Sequence, residues 1–304
     1  MLYIFNYSKK KTLVNCLFPL YDYFMGANAK YKDSVFSFLF SDPDVLRELY
    51  SALEGIALPP DMPISVNTLS DVLYMDRIND ISFTVDNRLV VLIEHQSTVN
   101  PNMPLRLLIY IARIYEKTAS RKKLYQTALE KIPVPEFIVL YNGAGPYPDQ
   151  KELRLSEAFK DAAGLKGAAL AGPALELVVR VYNINKGHNA ELAQKSSTLG
   201  GYSAFVGKVR ENRESMPLEE AIRAAIKYCM EHDILKTFLE TNSSEVFNML
   251  LSEWNIEDAK VAWQEESREE ERLIIARNAL AKGSSIEFIR EITGLDIDTI
   301  ESLN

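Results

Sequence analysis

Asn79-Asp80-Ile81-Ser82-Phe83-Thr84-Val85-Asp86-Asn87-Arg88-Leu89-Val90-Val91-Leu92-Ile93-Glu94-His95-Gln96 reads as two strands joined by a short polar loop. With Asp86, Asn87 and Arg88 as a three-residue loop, Val85 pairs with Leu89. Side chains alternate along a strand, so one face collects Ile81, Phe83, Val85, Leu89, Val91 and Ile93. The other takes Asp80, Ser82, Thr84, Val90, Leu92, Glu94 and Gln96, with Asp80 directly opposite Glu94. A two-residue loop would slip the pairing by one and set Asp80, Ser82 and Thr84 against Ile93, Val91 and Leu89. The apolar pattern therefore favours the register that brings two carboxylates together.

Two readings of that pair are open. Adjacent carboxylates at a sheet end suit a hard divalent cation such as Mg²⁺, which takes oxygen ligands and offsets their repulsion. Such an ion activates water and stabilises charge on a phosphoryl oxygen. Alternatively, Asn79-Asp80 simply starts a strand and Glu94 ends one at a solvated edge. Without an ion the carboxylates repel, so removing one is expected to keep the fold and raise the melting temperature slightly.

Three segments carry a resemblance: Asn79-Asp80-Ile81-Ser82-Phe83, Val91-Leu92-Ile93-Glu94-His95-Gln96-Ser97-Thr98 and Asn102-Met103-Pro104-Leu105-Arg106. They are similar to the Rpn family, recombination-promoting nucleases also called putative transposases. The likeness continues in Lys32-Asp33-Ser34-Val35-Phe36, Val139-Leu140-Tyr141-Asn142-Gly143, Ser244-Glu245-Val246 and Ile292-Thr293-Gly294-Leu295, and so covers most of the chain from about residue 30. The resemblance implies an α/β protein of the PD-(D/E)XK superfamily. Its restriction-endonuclease-like core runs helix, three strands, helix, strand, followed here by a mostly helical C-terminal region. It further implies a metal-dependent DNA endonuclease that hydrolyses phosphodiester bonds and promotes recombination. Asp80 and Glu94 would be metal ligands, the His95 carbonyl a further one, and Gln96 a water- or phosphate-orienting group. Mg²⁺ or another divalent cation would be the cofactor and DNA the partner.

The superfamily pattern is acidic-x-Lys, whereas this chain has Glu94-His95-Gln96, with glutamine as is usual in the Rpn-like branch. A lysine ammonium can deprotonate or orient water and neutralise charge; an amide only hydrogen-bonds. Either the metal alone activates the water, or Lys117 or Arg113 comes in from the next helix. Asp33 is a further candidate for the metal shell, its other role being a helix N-cap, and Arg106 and Arg113 are candidate phosphate contacts. The missing lysine also motivates a second function: a catalytically weak or inactive nuclease-fold module that binds DNA or a protein. Nothing in the residues points to strand transfer.

Composition sets the bounds. The 304 residues, 47% hydrophobic and 25% charged, fit a soluble globular protein with a sizeable core. No apolar run approaches the ~20 residues that span a bilayer, so no membrane is expected. Cys16 and Cys229 form neither a zinc spacing nor a disulfide framework, which fits the cytoplasm. His95, His188 and His232 are the only histidines, too few for a histidine zinc site, and His95 falls on the face opposite Glu94 as a packed core residue. Net charge −8 argues against a DNA-coating protein. Yet between Pro104 and Lys131, Arg106, Arg113, Lys117, Arg121, Lys122, Lys123 and Lys131 outweigh Glu116 and Glu130, giving +5. A basic helix beside a carboxylate pair suits phosphate contacts, though it is also an ordinary exposed face.

The expected order is an N-terminal arm (1–24, dispensable), a nuclease-like domain (25–186), a helical region (187–271) and a small helical module (272–304). In the core, Asp33 caps a helix broken at Asp42-Pro43-Asp44, and Ile64 to Leu69 form a first strand. Asn102 and Pro104 open a helix to about Ala128 with Leu105, Leu108, Ile109, Ala112 and Tyr115 inward. Strands follow at Glu136 to Tyr141 and Ala174 to Ile184. Gly200-Gly201 interrupts the helical region as a hinge or helix end, and Ser285 and Gly294 bound a short late helix. The C-terminal helices, lacking a basic recognition face, suit a homodimer or another partner rather than base reading.

Overall fold

A computed structural model describes residues 34–66, 80–98, 100–160 and 173–303. The expectations for residues 1–24, Asp33 and the end of the Ile64–Leu69 strand lie outside these. The chain divides into two compact units, residues 1–247 and 248–304.

The first unit is built on one six-stranded sheet of order β1-β2-β3-β4-β6-β5. Strands β1 (Ile64–Val66), β2 (Asp80–Val85) and β3 (Leu89–Gln96) form an antiparallel meander. Helix α3 (Met103–Thr118) then carries the chain to β4 (Val134–Tyr141), parallel to β3, and β6 (Val178–Asn183) lies parallel to β4. Strand β5 (Gln150–Arg154) closes the edge antiparallel to β6. Ahead of the sheet come α1 (Val35–Leu39) and α2 (Pro43–Glu54). Helices, three strands, helix, strand is the restriction-endonuclease-like order.

The β2–β3 register is the one the apolar pattern favours: Val85 faces Leu89, Phe83 faces Val91 and Asp80 faces Glu94. The loop closes through the Arg88 amide on the Val85 carbonyl at 3.0 Å. Asp86 (φ 50°) and Asn87 (φ 52°) adopt the left-handed conformation, which these two residue types tolerate best after glycine.

Each sheet face is covered. On one, Val90, Leu92, Phe137, Val139, Val179 and Val181 pack with Met103, Leu107, Tyr110, Ile111 and Ile114 of α3. On the other, Tyr50 meets Phe83 edge-on and Phe36 stacks on His95. Helix α2 is also tied to that side by Arg180, which donates to Glu54 (2.6 Å) and Glu136 (3.0 Å). Helix α1 is capped by Ser34, whose hydroxyl accepts from the Ser37 amide, and α2 restarts on the Asp42 cap as the Asp-Pro-Asp cluster implied.

Three expectations need correction. Helix α3 buries Met103, Leu107, Tyr110, Ile111 and Ile114, while Leu105, Ile109 and Ala112 are exposed and Leu108 and Tyr115 only flank the core. Apolar residues surround this helix, so periodicity cannot fix its rotation; contacts at its first turn do, as described below. It ends at Thr118, and a separate turn, α4 (Arg121–Leu124), follows the extended Ala119. Gly200 and Gly201 lie inside α6 (Ser197–Arg213), not at a hinge or end. A Cβ on Gly200 would come 2.6 Å from the Ala193 carbonyl of α5 (Ala190–Lys195), and one on Gly201 2.9 Å from Leu235. They are glycines because neighbours approach closely. The N-terminus of α6 is further satisfied by Glu48, which accepts from the Thr198 amide at 3.0 Å and the Ser196 hydroxyl at 2.8 Å.

Helix α7 (Leu218–Glu231) buries Ala221, Ile222, Ala225 and Ile226 in the expected period, and α8 (Lys236–Ala281) follows with a non-helical residue at Asn242. In the second unit, α9 (Ile286–Thr293) starts on the Ser285 cap and stops at left-handed Gly294. With α10 (Ile297–Glu301) and the end of α8 it buries Ala276, Ile289 and Ile300.

Gly143 follows β4, where a Cβ would overlap the Ser97 carbonyl and the Tyr141 hydroxyl. Gly143→Ala should cost about 3 kcal/mol in urea unfolding, the price of overpacking against a fixed backbone. A loss below about 0.5 kcal/mol would show that the approach relaxes freely.

Candidate metal centre

Strand β3 is central, hydrogen-bonded to β2 on one side and β4 on the other. Its last three residues carry the predicted site. Asp80, described by its strand pairing, occupies the position directly opposite Glu94. Residues facing each other across an antiparallel pair share a sheet face.

Glu94 is only 4% exposed. Its Oε1 accepts from the Gln96 side-chain amide at 2.7 Å and forms an ion pair with Arg106 at 2.8 Å. Gln96 also donates to the Met103 sulfur at 2.8 Å, as does Arg106 at 3.4 Å. Gln96 is therefore on the face expected, but its amide holds the carboxylate. Arg106, expected as a phosphate contact, lies against Glu94. Met103 was not foreseen in the site; its place at the first turn of α3, beside Arg106, was the available signal. The expected gain in stability on removing a carboxylate assumed two unpaired charges, whereas Glu94 is paired with Arg106. Its charge is already balanced, and removing it strands Arg106 and Gln96.

His95 points the other way. The residue is 5% exposed, its ring is stacked on Phe36 with centroids 4.8 Å apart, and its Nε2 lies 3.2 Å from the Tyr202 hydroxyl. Burial, helped by the positive charge of Arg210, pushes the imidazole down to about 3. The side chain is thus a neutral core residue, as its face assignment implied.

Beneath the strand ends lies a polar network that sequence reasoning missed. The Asn142 amide donates to the Gln96 carbonyl at 2.8 Å, fixing the end of β3 against β4. Arg210 donates to the Asn142 side chain and to Asn185, each at 2.8 Å, and also to the Asn142 carbonyl. Asn185 in turn donates to Asn183 (2.9 Å) and the Gly143 carbonyl (3.0 Å). Asparagines at the ends of β4 and β6 were the only hint.

Arg113 is partly buried and Lys117 exposed. They lie seven and eleven residues beyond Arg106 on α3, nearly whole turns, so all three share a helix face. Asp33 lies outside the described residues. Among the described residues no cluster of three His, Cys, Asp or Glu could hold a metal. The donor set still fits Mg²⁺, a hard ion that is commonly held by one or two carboxylates and keeps several waters. Among the described residues no helix is long and apolar enough to cross a membrane.

The His95 environment has a measurable consequence. An unfolded histidine titrates near 6.5, whereas the folded ring resists protonation down to about 3. Its contribution is complete above pH 6.5 and is lost on acidification, by about 1.4 kcal/mol per pH unit between those values. Urea unfolding from pH 7 to 4 should show a flatter pH profile for His95→Phe than for the parent chain; parallel profiles would contradict the assignment.

Comparison with curated proteins gave no match, and neither did comparison with solved structures. A family model described as "Putative transposase, YhgA-like" matches residues 66–220, from β1 through the site to the start of α7. With just over half of the chain matched, from the end of β1 through both site strands and the rest of the sheet, the protein belongs to this YhgA-like family, the Rpn/YhgA family of the PD-(D/E)XK type.

Proposed function

We propose that this chain is a divalent-metal-dependent DNA endonuclease that hydrolyses phosphodiester bonds. The observation that carries the reading is the Asp80–Glu94 pairing at the open end of the hairpin, with the Glu94 carboxylate buried and oriented by Gln96 and Arg106. The family's transposase description supports a nuclease-like or transposition-related role.

Asp80 and Glu94 would hold the ion through carboxylate oxygens, and the His95 carbonyl would be a further ligand. When bound, the ion supplies Lewis acidity and a more acidic water. Gln96 keeps Glu94 in one orientation through its 2.7 Å bond. Arg113 and Lys117 would take successive phosphates along α3, and the local excess of positive charge there draws DNA to a chain that is acidic overall.

The test is nicking of supercoiled plasmid by purified protein with and without Mg²⁺. Asp80→Ala and Glu94→Ala should each abolish it, and nicking at the parent rate by a folded double variant would end the assignment. Gln96→Ala should slow single-turnover cleavage by about 10- to 1000-fold, as expected for loss of one positioning bond. An unchanged rate would remove Gln96 from the site while leaving the two carboxylates in it.

A second reading, a nuclease-fold module that binds DNA or protein with little turnover, is favoured by one observation. Glutamine stands where the superfamily has lysine, and the cation that lies against Glu94, Arg106, is a donor without an acceptor, unlike a lysine amine. DNA binding without Mg²⁺-dependent nicking would select it.

A further inference from the structure

Arg106 occupies an unusual position between buried and solvent-facing charge. Its side chain is 27% exposed, whereas that of Glu94, which it contacts at 2.8 Å, is 5% exposed. The guanidinium thus stands at the rim of the site with the carboxylate behind it. The contacted oxygen is the same Oε1 that accepts from Gln96. Arg106 also donates weakly to the Met103 sulfur at 3.4 Å, a poor acceptor. Along the same helix face follow Arg113 and Lys117, so a phosphate chain lying on α3 would reach Arg106 as well.

We propose that Arg106 is a displaceable counter-ion of Glu94, coupling DNA binding to metal loading. This rests on the nuclease reading above. Without DNA, Arg106 shares the Glu94 oxygen with Gln96 and its positive charge opposes a divalent cation at the same carboxylate. A DNA phosphate offers the guanidinium a bidentate partner of equal or better geometry. Arg106 turns outward to it, and Glu94, still held by Gln96, becomes available to the ion. Metal loading then waits for DNA, and by linkage the metal raises DNA affinity by the same factor.

The experiment is calorimetric titration of Mn²⁺ into the full chain, alone and with a short phosphorothioate-linked duplex that resists cleavage. The duplex should tighten Mn²⁺ binding by about 10-fold in the parent chain. Arg106→Gln should bind Mn²⁺ about 10-fold more tightly than the parent without DNA, and the duplex should then add less than about 3-fold. Arg113→Gln removes the same charge seven residues further along the face, about 10 Å along the helix axis. It should change metal affinity without DNA by less than about 2-fold, since among the described residues it makes no direct ion pair with that carboxylate and distance weakens its effect. If Arg106→Gln fails to fold, Arg106→Lys, which loses the fork but keeps the charge, should show a smaller shift in the same direction. The proposal is overturned if neither variant binds Mn²⁺ more tightly than the parent without DNA, or if Arg113→Gln matches them. Glu94→Gln separates the two ideas: Mn²⁺ binding unchanged in that variant defeats the metal-site reading itself, whereas binding lost there but insensitive to Arg106 defeats only the coupling.

Discussion

A carboxylate buried at the end of a central strand has to be neutralised, and the structure around β3 is arranged to do it. Glu94 receives one bond from its own strand, through Gln96, and one charge from the next helix, through Arg106. That ion pair sets the rotation of α3. Leu105 and Ile109 are as apolar as Leu107 and Ile111, yet the first two are exposed and the second two buried. Burying one such side chain contributes about 1.5–3 kcal/mol, while leaving a buried charge without its partner costs about 3–5 kcal/mol. The charge wins. Met103, Leu107, Tyr110, Ile111 and Ile114 go inward in the phase that places Arg106 over Glu94.

This explains what could be read in advance. The hairpin register was legible because a period of two leaves one alternative, and that alternative places polar residues against Ile93 and Val91. The strand–helix–strand order was legible for a similar reason: β4 runs into a continuous buried stretch, Phe137 to Tyr141, and Asn142-Gly143 ends it. The phase of α3 was not, because its stripe of apolar residues is too wide to choose an inward face. The deciding contact joins residues on different elements. The same holds for Arg210, whose partners Asn142 and Asn185 are 68 and 25 residues away. Strand β5 was hidden differently. Leu153 is its only buried side chain, so an edge strand of otherwise charged and polar residues shows little alternation.

In the site, the two carboxylate positions were visible from spacing, whereas the partners of Glu94 were not. Sequence reasoning assigned Gln96 to water or phosphate and Arg106 to phosphate, because each was judged by what it could do to a substrate. The geometry shows each first engaged with Glu94. Gln96 reaches it from two residues along the strand and Arg106 from the next helix, so the carboxylate is held from both covalent and tertiary neighbours.

The change from lysine to glutamine alters which chemistry the protein itself can provide. In the related pattern, one lysine two residues beyond the acidic residue combines positive charge with a proton that can be exchanged. Here those properties are separated. Charge beside Glu94 comes from Arg106, a hydrogen-bond donor without an acceptor, and orientation comes from the uncharged amide of Gln96. Neither can accept a proton from water. His95, the remaining titratable neighbour on the strand, is turned into the opposite core and packed on Phe36 and Tyr202. In the proposed hydrolysis a divalent ion held by the carboxylates would supply the Lewis acidity, while the side chains of Gln96, Arg106 and His95 orient the carboxylate, balance its charge in the absence of DNA and close the core behind it.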